Sequence, residues 1–186
     1  MTSGRQRPAF LTGNVITLSP LEPEDASGAY PEWLNDAETS AGNSHHIFPY
    51  TRAEAADFIL KNNGSRTALI LAIILRDDQS HIGNVALQNI NYVSRNAELA
   101  ILVGDPRCRG RGIGREACRL LLDHGFKALN LHRIYLGTLD SNVGMQRLAQ
   151  HLGMREEGRR VEAMYKDGIY RDIIEYGLLK RDFQSN

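Results

Sequence analysis

The sequence predicts a mixed α/β (α+β) fold: one sheet with helices on both of its faces. Three observations predict it. Residues 67–75, 81–92 and 97–103 are β-type runs joined by short polar turns, which gives an antiparallel meander. The apolar strand at 99–103 then runs into a glycine-rich turn, a helix-patterned segment and a further strand at 134–139. Strands joined through a helix are normally parallel, so the sheet is mixed. Finally, Lys166-Asp167-Gly168 between two long β-type runs is a hairpin signal.

Taken in order, residues 1–13 read as a short, polar, flexible tail and residues 14–186 as a single domain. A short strand at 15–18 precedes Leu21-Glu22-Pro23-Glu24-Asp25. There Pro23 suits a first helical turn and the acids suit its dipole, so one helix is expected to reach Trp33 or Asn35. Residues 36–50 read as irregular. Thr51-Arg52-Ala53-Glu54 has capping-box spacing and opens a helix ending near Asn63-Gly64. Residues 67–75 form a continuous apolar, β-branched run, the mark of a strand covered on both faces. In the next strand Gly83 marks a bulge or a close backbone approach. After the glycine turn Ala117, Leu120, Leu121 and His124 recur at helical spacing, and Asn130 suits a left-handed stop. Asn142 caps a helix closed by Gly153, and the hairpin of 154–165 and 169–179 ends the chain.

Composition narrows the function. Lys plus Arg and Asp plus Glu both number 22, so no global field draws the chain to nucleic acid or to an anionic membrane. The longest purely apolar run, 68–75, is far short of the ~18 residues a membrane helix needs. The opening MTSGRQRPAF lacks the apolar core of a signal peptide. Two cysteines without an export signal suggest reduced thiols and a cytoplasmic protein. The histidines lack metal spacing, so no metal is expected.

Against that neutral background one stretch is strongly cationic. Arg107, Arg109, Arg111 and Arg115 surround Gly110, Gly112 and Gly114 at a strand-to-helix turn. Glycines let a backbone approach a ligand closely, and the unpaired N–H groups and dipole of a helix N-terminus favour an anion. The arrangement points to a polyphosphate. It is not a nucleotide-hydrolase P-loop, because Arg115-Glu116 follows the last glycine. Nor is it a dinucleotide fingerprint, because the glycines are spaced G-x-G-x-G in mid-chain.

Arg109-Gly110-Arg111-Gly112-Ile113-Gly114 resembles the R-x-x-G-x-G/A acyl-CoA motif of the GCN5-related N-acetyltransferase (GNAT) superfamily. Asn142 followed by Leu152-Gly153-Met154 is similar to that superfamily's N…L-G-F segment, and Ala97-Glu98-Leu99 and Tyr176-Gly177-Leu178-Leu179 add to the likeness. It covers about residues 15–179. It is nearest the branch that holds the ribosomal-protein N-terminal acetyltransferases and the spermidine acetyltransferases. The resemblance implies a GNAT fold with a mixed seven-stranded sheet and acetyl-CoA as co-substrate. The acceptor would be an amine: a protein N-terminus first, then a polyamine, amino sugar or antibiotic. It further implies that backbone N–H groups from Arg109 to Gly114 hold the diphosphate. Ile101, Leu102 and Val103 would pair with the pantetheine amides, and Asn142 would bond the pantetheine arm. Arg147 would either approach the adenosine phosphate end or be a solvated surface charge.

Acetyl transfer needs a neutral amine. At pH 7 a lysine-like nitrogen (pKa ~10.4) costs about 4.6 kcal/mol to deprotonate, an α-amine (pKa ~7.7–8.0) only about 1–1.4 kcal/mol. Glu98 is the candidate base, sharing a strand face with Ala100 and Leu102; the alternative is a rim charge paired with Arg95. Ala149 stands where the superfamily usually has the thiolate-protonating tyrosine, so Tyr165, Tyr170, Tyr176 or water would substitute. His45-His46, Trp33 and Tyr50 are candidates for shaping the acceptor groove. Cys108 has no adjacent base for an acyl-cysteine route, and Cys118 reads as packing. The competing readings are a catalytically inactive acyl-CoA sensor or scaffold and, more distantly, an RNA binder using its arginine-glycine turn. The hairpin edge could support a homodimer.

Overall fold

The computed structural model describes residues 7–184. Its eight strands form one sheet in the order β1-β2-β3-β4-β5-β6-β8-β7. The strands are β1 (Leu11–Thr12), β2 (Ile16–Pro20), β3 (Leu69–Leu75), β4 (His81–Asn91), β5 (Asn96–Val103), β6 (Arg133–Leu139), β7 (Arg155–Lys166) and β8 (Ile169–Leu179). All neighbours are antiparallel except β5 and β6.

The strand beyond the expected seven is β1. The tail expected over residues 1–13 is therefore shorter, since Leu11 pairs with Leu18 and Thr12 with Thr17. Residues 1–6 of that tail lie outside the described residues. The attachment has a side-chain cause as well: the Glu116 carboxylate accepts from the backbone N–H groups of Asn14 and Val15.

Helices cover both faces. On one lie α4 (Ile113–Lys127) and α5 (Val143–His151), whose Ala117, Leu121, Leu122, Phe126 and Ala149 pack with the odd-numbered side chains of β3 and β5. On the other lie α1 (Tyr30–Asn35), α2 (Ala37–Ser40) and α3 (Arg52–Asn63), which enclose Ala72 and Ile74 with Trp33, Leu34 and Ile59. The period of two in the strands divides the apolar residues between these two cores.

The helix expected from Pro23 to Asn35 is two elements, a 3-10 turn at Pro23–Ser27 and α1. Gly28 between them is extended, and Pro31 has no N–H to donate back to Ser27, so one helix cannot pass through. Within the stretch read as irregular, Asp36 caps α2, accepting from Thr39 N at 2.7 Å. The predicted capping box opens α3: Glu54 N donates to Thr51 Oγ1 at 3.2 Å and Thr51 N to Glu54 Oε2 at 2.7 Å. Asn130 sits at φ +52° beyond α4, as its left-handed reading requires.

Gly83 is a close approach beside a bulge. The β3–β4 register slips between Ile73 and Ile74, and a Cβ on Gly83 would lie 2.2 Å from the Leu102 carbonyl oxygen.

Candidate active site

The site begins where two strands part. Strand β5 pairs with β6 only from Asn96 to Glu98, matched with Arg133 to Tyr135. Beyond Glu98 they diverge, while the other edge of β5 stays bonded to β4 as far as Val103. One edge of residues 99–103 is thus left open, and a cleft of about 1060 Å³ fills the gap. Its walls include Ile101, Leu102, Val103, Glu98, Asn142 and Leu148.

At the cleft's β5 end stands the glycine turn. Gly110 (φ +71°) and Gly112 (φ +80°) are left-handed, and a Cβ on either would meet nothing within 4 Å. These glycines serve backbone conformation rather than packing. Gly112 caps α4 without a side chain, so the helix's first N–H groups have no internal partner. Among the described residues, no loop or cap bond engages the N–H groups of residues 110–115. The Arg109 N–H differs: it donates to Pro106 O, so it is not among the turn's open N–H groups, which begin at Gly110.

The arginines also divide. Arg107 is held by Asp105. The Arg109 side chain turns inward, donating to Val103 O at 3.2 Å and Thr39 Oγ1 at 2.7 Å, with Glu38 at 3.4 Å. Arg111 and Arg115 are exposed and carry the turn's free positive charge.

Asn142 caps α5, its Oδ1 accepting from Met145 N at 3.0 Å and its Nδ2 donating to Gly42 O at 3.1 Å. One amide hydrogen remains for a ligand. Arg147 is exposed on α5, outside the cleft walls. Ala149, at the position of the family tyrosine, is fully buried in the core and is not among the residues that line the cleft.

Glu98 lies half-buried in the cleft wall. Its partner is Asn89 rather than Arg95: Asn89 Nδ2 donates to Glu98 Oε2 at 2.9 Å, and among the described residues no second donor reaches the carboxylate. Asn89 reaches it from a bulge in β4, at φ +53°. This contact was invisible in the sequence, because a left-handed asparagine in mid-strand has no local signature.

Of the residues proposed to shape the acceptor side, His45 lines the cleft. Partial burial, then the nearby Lys166, holds its ring below the usual histidine range. Trp33 does not line the cleft; it is buried edge-to-face against His81 at 5.1 Å. Tyr50 packs on Tyr30, which does line it. Burial, then Tyr50, pushes the Tyr30 hydroxyl far above the usual tyrosine range, so it keeps its proton. Of the hairpin tyrosines, Tyr176 is buried in the core while Tyr165 and Tyr170 are exposed. None of the three borders the cleft among the described residues.

Both cysteines are buried. Burial raises the Cys108 thiol and pushes Cys118 up to about 12. No cluster of potential metal ligands occurs among the described residues, and no helix is long and apolar enough to cross a membrane.

Relatives carry the same architecture. Spermidine N(1)-acetyltransferase of Escherichia coli K12 is 27% identical over 175 residues, 92% of this chain and 90% of its own length. The Bacillus subtilis (strain 168) protein YdaF, provisionally named a ribosomal N-acetyltransferase, is 29% identical over 182 residues, 91% and 93% of the two chains. Spermidine N-acetyltransferase from Vibrio cholerae, solved with CoA and spermine, superposes with a TM-score of 0.83 at 26% identity, covering 91% of this chain and 98% of that one. The acetyltransferase (GNAT) domain model matches residues 16–155. With the parted strands and the glycine turn at the head of α4, these similarities have one meaning: the chain belongs to the GNAT acetyltransferase family.

Proposed function

We propose that the protein moves the acetyl group of acetyl-CoA to a primary amine by direct attack in a ternary complex, and that the amine is the α-amino group of a protein N-terminus. The observation that carries this reading is the open edge of β5 leading to the open N–H groups at the start of α4. An extended amide chain can add to such an edge as a strand does. The pantetheine arm therefore runs along Ile101, Leu102 and Val103, with the spare Asn142 hydrogen beside it. Its diphosphate sits on the N–H groups of Gly110, Arg111, Gly112, Ile113 and Gly114, within reach of the Arg111 and Arg115 charges. Exposed Arg147 is left for the adenosine phosphate end.

The thioester then lies where β5 and β6 part, beside Glu98. The amine nitrogen attacks the carbonyl carbon while its proton passes to the free Oε1 of Glu98, directly or through water. Collapse breaks the C–S bond, and the thiolate takes a proton from solvent in the open cleft. Its modest basicity (pKa ~8.5, by analogy with cysteine) makes a dedicated acid dispensable.

An α-amine suits this site because it asks little of the base. Of the acids in the cleft walls Glu38 is paired with Arg109, which leaves Glu98 and Asp167 as a sparse complement for a polyamine. The test is thiol release from acetyl-CoA with a panel of peptides bearing free N-termini, spermidine, and an amino sugar. Faster turnover of peptides supports the reading. Preference for spermidine overturns the acceptor class, and CoA binding without turnover of any amine overturns the catalytic role.

A further inference from the structure

A second pocket of about 350 Å³ opens off the acceptor side of the cleft. The two spaces share Phe58, Ile70 and Gln88 as walls, so they adjoin. A hydrogen bond also links them, since Asn89 lines the side pocket and its Nδ2 donates to Glu98 Oε2 in the cleft wall.

The pocket's chemistry is specific. One wall is the face of α3 carrying Phe58, Lys61 and Asn62, whose spacing stacks them together. Opposite stand the 64–68 turn and the β4 residues Gln88 and Asn89. Lys61 is the one charged side chain among the described lining residues. Several polar atoms there have no partner among the described residues. Asn62 uses its Nδ2 on Phe58 O, and among the described residues neither its Oδ1 nor the half-buried Gln88 side-chain amide has a partner. The lining thus combines polar side chains with a single cation, and no carboxylate is among its described residues.

We propose that this pocket is the subsite for the second and third residues of the acceptor peptide, and that it selects neutral or acidic side chains there over basic ones. The inference rests on the N-terminal-amine reading given above. Backbone amides of the acceptor meet the Gln88 and Asn62 side chains, and Lys61 attracts a carboxylate and repels a lysine or an ammonium. Phe58 and Ile70 form an apolar sill between the reacting amine and these contacts.

The test compares three peptides with free N-termini and amidated C-termini, Ser-Ala-Ala, Ser-Glu-Glu and Ser-Lys-Lys, together with spermidine. The protein is used as wild type, Lys61→Gln and Lys61→Glu, and CoA affinity is followed in parallel by calorimetry. In the wild type Ser-Glu-Glu should have a KM about three- to fivefold below that of Ser-Lys-Lys, the size that a partly exposed ion pair supports. Lys61→Gln should abolish the difference and Lys61→Glu should reverse it, with CoA affinity unchanged. Peptide turnover indifferent to charge in all three proteins overturns the subsite and leaves the acceptor class standing. Spermidine preferred to every peptide by the wild type overturns the acceptor class and the subsite with it.

Discussion

The Arg109 guanidinium donates to the Thr39 hydroxyl at 2.7 Å, joining the glycine turn on one side of the cleft to α2 on the other. The same group reaches the carbonyl oxygens of Val103 and Gly104, so one side chain fixes the end of β5, the turn and the acceptor-side wall. Hydrogen bonds from a charged group are worth about 1.5–3 kcal/mol each. Arg109→Ala should therefore weaken CoA binding by about tenfold and raise the acceptor KM as well. Arg109→Lys should fail to restore either, because an ammonium cannot fork to these acceptors. A loss confined to CoA affinity in calorimetry would show that turn and helix act separately.

Gly112 supplies a conformational test with its own control. At φ +80° a side chain costs about 1–2 kcal/mol, and Gly153 has the same φ with equally open surroundings. Gly112→Glu and Gly153→Ala should thus lower the melting temperature by similar modest amounts. Only Gly112→Glu, which sets a carboxylate in the proposed diphosphate cradle, should abolish CoA binding. Unchanged affinity in Gly112→Glu would reject the cradle.

Glu98→Gln keeps the size and the Asn89 contact while removing the proton acceptor. With a strongly basic amine, turnover should fall by at least about tenfold at pH 7, within the range of general base catalysis. The deficit should be smaller at pH 9, where more amine is already neutral. An equal deficit at both pH values would assign Glu98 a structural role.

Asp25 predicts the acid limit of the fold. Burial pushes this carboxyl up, but bonds from His81 (3.0 Å) and Arg7 (3.0 Å), with the histidine charge and the Glu22 N–H, outweigh it and hold it well below the carboxylate range. A pKa depressed on folding contributes stability that is complete above the unfolded value, about 3.9, and is lost as pH falls through the folded one. Denaturant midpoints should therefore drop below about pH 4. Asp25→Asn should cost about 3 kcal/mol at pH 7, as when one partner of a buried ion pair is removed, and should flatten the acid decline. An unchanged acid profile in Asp25→Asn would place the sensitivity elsewhere.

Legibility followed locality. The α3 capping box, the left-handed Asn130, the close approach at Gly83 and the glycine turn were readable because each is determined by a few neighbouring residues. The parallel β5–β6 contact followed from the connecting helix. Three features were not readable. Leu11–Thr12 is a strand through a carboxylate on α4, a hundred residues away in sequence. Arg109 looked like a phosphate ligand because its commitment to Thr39 and Val103 exists only after folding. Asn89 came to Glu98 through a bulge that hydrophobic periodicity cannot register.

The interior gap after Glu98 has one more consequence. A sheet edge left bare inside a protein is a row of hydrogen-bonding groups awaiting a mate, and water is a poor permanent tenant for it. The chain leaves its own architecture unfinished, and on the reading proposed above the pantetheine arm would act as a detachable ninth strand. Thermal resistance of such a protein becomes a readout of how much of that missing piece is dissolved around it, climbing with the logarithm of its concentration.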